Sequence, residues 1–564
     1  MKKIRWQLVI ILLTGMVVGA LLLTQGPGGT QPSSTTTPTS GGVYAEGLVG
    51  SLKRLNPLLD LYNQPDRDID RLIYSGLVKF DSKGYPQPDL AETWGTSQDG
   101  LTYNFSLKEG LVWHDGKPIT ADDVIFTIEL MRAGDPFVPS DVRDFWNNIT
   151  VVKGDERTLQ FQLPEAYSPF LDYLTFGILP EHLLKNVGPE GLVDAAFNLN
   201  PVGSGPYRFD HLIMDGDQIQ GVVLSLFDDY VGQKPYIEQV LFRYYPDGES
   251  ALQAYQSGEI QGLGQVATAD LPGVLNEPNL SVYTARLPEL SLVMFNLKNQ
   301  DVAFFQDDAV RQALMKGLNR QWISDHILNG QAIVADGPLF PGTWAYADNL
   351  TRISADSDAA AAMLKDAGYV IPAEGDPIRA KDGVQLSFTM VYPDDEIFGA
   401  IAERIQQDWQ AIGVQVGLEA LPYEQLVSER LNERDYQAAL VHLNLSRSPD
   451  PDPYPFWDMA QATGGQNYSQ WDDRNASEYL EQARITQDNT ERLRFYHNFQ
   501  AIFMKEMPAL PLYYPVYNYA IDRQIQGVQV GPLFDPSDRF NTLPEWFLVA
   551  KQAAESTAAA TAQP

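Results

Sequence analysis

The stretch SRSPDPDPYPFW, Ser446 to Trp457, sets two Asp-Pro pairs against an aromatic cluster. Proline forbids a helix through it and carboxylates resist burial, so these residues call for a stiff, acidic, aromatic loop. Such a loop could carry a catalytic acid pair, hold calcium, or form a wall for a ligand. Calcium fails on spacing: the Asp-x-Asp start lacks a Gly at the sixth loop position and a closing Glu. A glycosidase pair cannot be picked out among 73 acids, whose clusters read first as solvated faces. The histidines (His114, His182, His211, His326, His442, His497) never pair at the spacing that puts two ligands on one helical face. GLVWHDGK, Gly110 to Lys117, has five residues between its glycines instead of four, and Pro118 where a phosphate loop needs Ser or Thr. The GSG at Gly203 to Gly205 lacks the flanks of a nucleophile elbow. No catalytic residue, metal site or cofactor is expected.

Aromatic rings remain: 10 Trp, 27 Tyr and 25 Phe. Most belong in a core. Others stand beside Pro, Gly and Asp: Trp344 and Tyr346, then Tyr454, Phe456 and Trp457, then the run Tyr513 to Tyr519. Flat amphipathic rings on stiff backbone make stacking walls for sugars or peptide planes; the competing reading is core or hinge packing.

The elements that must position these residues are mixed. LTYNFSLKEGLVW, Leu101 to Trp113, alternates around a Glu-Gly turn and predicts a hairpin. Thr120 with Asp123 opens a helix through a capping-box variant. DDAVRQALMKGLNRQWISDHIL reads as one amphipathic helix, with Val310, Leu314 and Leu318 four apart. Ile401, Ile405, Trp409 and Ile412 form another stripe, which Gly413 ends before Val414, Val416 and Leu418 alternate as a strand. Strands separated by helices predict an α/β fold with mixed sheets.

At 564 residues the chain needs two or three lobes. Its net charge of −33 repels phosphate backbones and excludes nucleic acid as a partner. Cysteine is absent, which excludes disulfides and thiolate chemistry. Lys2, Lys3 and Arg5 precede the apolar run Leu8 to Leu23, the pattern of a secretory signal or membrane anchor. We take residues 1–23 as the anchor, 24–42 as a Gly/Pro/Ser/Thr linker and 550–564 as a disordered tail. The body then sits on the outer face of the cytoplasmic membrane.

The order of segments resembles the family 5 extracellular solute-binding proteins, the peptide-type receptors of ABC importers. The resemblance rests on PDLAETWGTSQDGLTYNFSLKEGLVWHDGKPITADDVIFT, Pro88 to Thr127, at family spacing. LPEHLL, PVGSGPYRF, FFQDDAVRQALMKGLNR, MLKDAGY, RIQQDWQAIGVQV and EMPALPLYYP extend it along nearly the whole body. It implies a class II periplasmic-binding-protein fold: two lobes with mixed sheets around a cleft, plus an extra N-terminal subdomain. The lobe I core would be 43–60, 203–285 and 515–549, the extra subdomain 61–202, and lobe II 286–514. It also implies a monomer that hands its ligand to permease subunits.

In the family, the segment through an Asp-Pro lines the cleft, and an acid a few residues upstream binds a peptide α-amine. Aligned on Asp452-Pro453, that upstream position holds Pro449, with Asp450 displaced by one. The ligand therefore stays open between peptide, oligosaccharide and another solute. The expected ligand contacts are Trp344 and Trp457 by stacking, Asp450 or Asp452 by hydrogen bonds, and Asn444 and Ser446 of the same segment. An anchored extracellular glycoside hydrolase is the alternative from another class.

Overall fold

The computed structural model describes residues 38–549, apart from 135–136, 373–374, 376 and 447–448. The anchor, linker residues 24–37 and the tail lie outside these residues. Among those described, no helix is long and apolar enough to cross a membrane.

One strand organises the whole. Ala509–Asp522 is fourteen residues long and almost entirely buried. Its first half pairs antiparallel with Glu289–Phe295 and with Ala332–Val334; its second half pairs with Leu280–Arg286. The two halves serve different lobes. On one side the sheet continues through Glu289–Phe295 and Ala438–Asn444 to the parallel strands Ser387–Pro393 and Gln415–Leu421. On the other it runs through Gly262–Leu263 and Val43–Val49 to Gln239–Tyr245, Gln218–Leu226 and Tyr207–Asp215.

The core divides with the strand. One cluster gathers buried apolar side chains between Leu290 and Tyr514; another gathers those between Tyr44 and Ala285 and returns at Tyr517 to Trp546. The chain passes from one to the other only near Arg286–Pro288 and Pro515–Val516, where the Leu287 N–H donates to the Pro515 carbonyl at 2.9 Å. We call the Tyr44 side lobe I and the Leu290 side lobe II. The mixed α/β, two-lobed architecture agrees with the expectation.

Lobe I carries a second, four-stranded antiparallel sheet: Ala91–Thr96, Thr102–Leu107, Thr158–Gln162 and Thr150–Lys153. The expected 101–113 hairpin is not formed. Thr102–Leu107 finds its partners on both sides, and the chain beyond Gly110 instead folds back at 113–117, closed by a Val112–Pro118 bridge. Thr120 and Asp123 do cap the helix Ala121–Ala133 reciprocally. Helix Glu396–Ala411 ends as read, with Gly413 at φ +85°. The single helix expected across Leu318 is two: Asp308–Gly317 stops, Leu318 is extended, and the Asn319 side chain caps a new turn by accepting from the Trp322 N–H.

A buried ion cluster locks the C-terminal segment into lobe I. Arg539 holds Glu46 at 2.6 Å and Asp68 at 2.8 Å, all three shut from solvent. Glu46 also accepts from the Tyr44 and Tyr519 hydroxyls at 2.6 and 2.9 Å. Strand, helix and C-terminal crossing therefore meet on one guanidinium. Arg539→Met should cost about 3–5 kcal/mol, because two buried carboxylates lose their counter-charge. Urea denaturation measures this. The triple replacement E46Q/D68N/R539M should regain part of the loss, whereas additive losses would show that the three residues are not coupled.

Candidate ligand-binding cleft

The Asp-Pro loop follows the strand Ala438–Asn444 and lies where lobe II meets lobe I. Pro449, Pro451 and Pro453 have no N–H to donate, so the polarity of the loop rests on carboxylates and on the N–H groups of Asp450 and Asp452. Asp450 is buried. Arg492 reaches its carboxylate at 2.6 Å and Tyr496 donates to it at 3.2 Å. Asp452 meets Arg484 at 3.2 Å and accepts from Tyr167 at 3.2 Å. The Asp452 N–H points back to the Asp450 carboxylate at 3.3 Å, which tightens the turn.

Lobe I completes the seam. The Asp450 N–H donates to the carboxylate of Asp172 at 3.0 Å. Ser168 donates to the Thr486 carbonyl, and Gln487 bonds both Ser168 and Tyr103. Arg484 lies over the rings of Tyr167, at 4.9 Å, and Tyr454, at 4.2 Å. Among the described residues, three carboxylates (Asp172, Asp450, Asp452) thus face two guanidiniums (Arg484, Arg492), leaving one negative charge if all of these are ionised.

The consequences for ionisation follow from burial. Burial, then the Asp450 carboxylate, hold Asp172 well above the ordinary carboxylate range. Burial also raises Asp452, against the pull of Arg484. For Arg484 and Arg492 burial works against the charge, but Asp452 and Asp450 respectively more than offset it, so both guanidiniums are held charged. No basic side chain lies within ion-pair distance of Asp172 among the described residues.

Of the six residues expected at the ligand, Asp450, Asp452 and Trp344 converge here. Trp344 is half-buried, edge-on to Tyr496 at 5.5 Å, beneath Arg492 at 5.0 Å, and its backbone N–H donates to the Lys83 carbonyl of lobe I at 3.0 Å. Asn444 and Ser446 sit together one step away: Asn444 donates to Glu289 at 3.2 Å and accepts from the Ser446 N–H at 2.8 Å. Trp457 does not join them. It is 2% exposed and edge-on to Phe503 at 4.7 Å inside lobe II, where a large apolar ring gains most from leaving water, so it packs the core. Sequence reasoning missed Asp172, Tyr167, Arg484 and Arg492. Asp172 stands 278 residues from Asp450, and no local pattern announces that contact. Among the described residues no group of three acids or histidines is arranged to hold a metal.

Two lobes joined by two adjacent strands, meeting at a charged and aromatic seam, define a two-lobed solute-binding protein. The chain belongs to a family described as bacterial extracellular solute-binding proteins, family 5 Middle, which matches residues 85–501. It is a binding protein and not an enzyme, which removes the hydrolase alternative. It is 28% identical over 552 residues to the oligopeptide-binding protein AppA of Bacillus subtilis, covering 96% of this chain and 98% of AppA. It is 26% identical over 489 residues to the dipeptide-binding protein of Escherichia coli, covering 82% and 87%. The structure of B. subtilis AppA in complex with a nonapeptide superposes with a TM-score of 0.64, covering 91% of this chain and all of that one. An ABC transporter substrate-binding protein from Listeria monocytogenes, CtaP, is 27% identical and superposes at 0.72, covering 90% of this chain and all of CtaP.

Two outcomes follow. Trp457→Ala should lower stability by about 3–5 kcal/mol, read by denaturation, and leave ligand affinity unchanged wherever the protein stays folded. Closure of the ligand-free protein should take up protons. Asp172 and Asp452 bind protons more tightly at the seam than when the lobes part, where a carboxylate titrates near about 3.9. The closed form is therefore favoured most at low pH and loses that advantage as pH rises through the raised values. Small-angle scattering should show the free protein compacting as pH is lowered from neutrality, with Asp172→Asn compact already at neutral pH.

Proposed function

We propose that this protein captures a peptide with a free α-ammonium group between its lobes and delivers it, closed, to the permease of an ABC importer. One observation carries the reading: among the described residues the seam sets three carboxylates against two guanidiniums, and Asp172 is the acid that has no basic side chain at ion-pair distance. A ligand ammonium supplies the positive charge. The recognising acids are Asp172 and Asp450, one from each lobe, so the group is gripped only when the lobes meet. This restores amine recognition without an acid at position 449. Two relatives support the reading: AppA of B. subtilis is an oligopeptide-binding protein, with a nonapeptide in its structure, and the E. coli relative is a dipeptide-binding protein.

Mechanism then follows from the hinge. A ligand touching both lobes shifts the open–closed equilibrium by the difference in its affinity for the two states. The closed form presents a surface that a permease distinguishes from the open one. Trp344, held between the lobes by Lys83 and Tyr496, gives the ligand a ring to lie against. In this reading the body acts as a monomer, with lobe I as 43–60, 203–285 and 515–549, its extra subdomain as 61–202 and lobe II as 286–514. The segment ahead of the body tethers it to the outer face of the membrane, which raises its local concentration near the permease.

Titration calorimetry against a pool of short peptides tests this. Free peptides should bind, and their N-acetylated counterparts should bind more weakly by about 2–5 kcal/mol, since a buried carboxylate then loses its partner. Asp450→Asn should erase most of that difference. If glucose oligomers bind and no peptide does, the peptide reading is wrong.

A further inference from the structure

A cavity of about 470 Å³ lies wholly within lobe I, away from the seam between the lobes. Its walls come from the end of helix Gln64–Ile73, the hairpin of Val78–Phe80 and Pro86–Pro88, the loop at Tyr230 and the C-terminal crossing. The volume falls in the range of small-molecule pockets, about 300–1,000 Å³.

The lining carries both signs of charge. Overall the protein carries −33, yet Arg71 and Lys79 face this cavity together with Asp81 and Asp89. Two of the four are already engaged. Arg71 bonds Asp538 at 3.2 Å and Asn541 at 2.7 Å, and the Asp81 carboxylate closes its own turn by accepting from the N–H groups of Lys83 and Tyr85. The other two keep capacity. Lys79 is exposed, and Asp89 accepts from the Gly76 N–H with one oxygen at 3.2 Å. Phe80 and Phe540 supply apolar wall. Among the described lining residues, a lysine with no ion pair, a carboxylate with one bonded oxygen and phenylalanine wall match a molecule that carries both charges on a small frame.

The same hairpin reaches lobe II. Its Lys83 carbonyl accepts from the Trp344 N–H at 3.0 Å, and the Tyr85 ring lies 6.2 Å from that of Trp344. Gly84 lies so close to the Asp-Pro loop that a Cβ there would stand 2.8 Å from the Pro449 carbonyl oxygen. Whatever braces the hairpin from the cavity side therefore braces its grip on lobe II.

We propose that this cavity is a second binding site, for a zwitterion the size of a free amino acid, with its carboxylate on Lys79 and its ammonium on Asp89, and that filling it favours closure. Such a site would let the receptor respond to free amino acids as well as to the ligand in its cleft.

Saturation-transfer NMR on the full chain, with glycine, leucine and phenylalanine as probes, decides this. At least one probe should bind saturably, about tenfold more weakly after Lys79→Ala or Asp89→Asn, and still saturably after Asp450→Asn in the seam. Lys79 is exposed, so its replacement leaves the fold intact. Binding by none of the probes at about 10 mM overturns the site. So does binding that Asp450→Asn removes and Lys79→Ala spares. A probe that binds but leaves the scattering profile of the protein unchanged overturns the link to closure.

Discussion

Every covalent path between the lobes runs through two neighbouring strands, and this constraint governs the rest of the structure. Ala509–Asp522 is shared by both halves, and Leu280–Phe295 crosses beside it with Pro288 at the break. A sheet resists stretching and shear because its ladder bonds are directional, but it bends where pairing changes partner. Pairing changes here at Arg286–Pro288 and at Pro515. Motion is thereby confined to rotation of one lobe against the other, and the distant contacts of Asp172, Tyr167 and Lys83 form or part together.

The two charged clusters show how differently buried ions can be used. In lobe I, Arg539 sits between Glu46 and Asp68, and two tyrosine hydroxyls bond Glu46 as well. That arrangement is closed to water and fixes a shape. At the seam, Asp172 accepts one backbone N–H and meets no basic side chain among the described residues. Its desolvation is incompletely offset, so contact between the lobes there is conditional on a proton or a cationic partner. The first cluster holds a structure; the second makes one conditional.

What could be read from the sequence was local. The stripe Ile401, Ile405, Trp409 and the glycine at 413 specify a helix end within one turn, and the structure has it there. Thr120 and Asp123 are three residues apart and cap as read. Leu318 misled because it keeps the apolar spacing, while the Asn319 side chain competes for the backbone and starts a new turn. Trp457 misled because prolines and carboxylates nearby suggest exposure, yet its ring turns into the lobe. The loop at Asp450 was legible as unusual. Its partners at 172, 484 and 492 were not, since only the fold brings them together.

The two ends of lobe II lie side by side on neighbouring strands, with the Leu287 N–H bonded to the Pro515 carbonyl, so that lobe is an inserted cassette which can condense as soon as it is made. Lobe I is different: its last strand, Arg539 and Trp546 all arrive with the final few dozen residues. Until they do, Glu46 and Asp68 have no guanidinium between them, and the earliest part of the polypeptide stays unfinished. A chain that must be threaded across a membrane before it folds gains from this order, since the half made first is the half completed last.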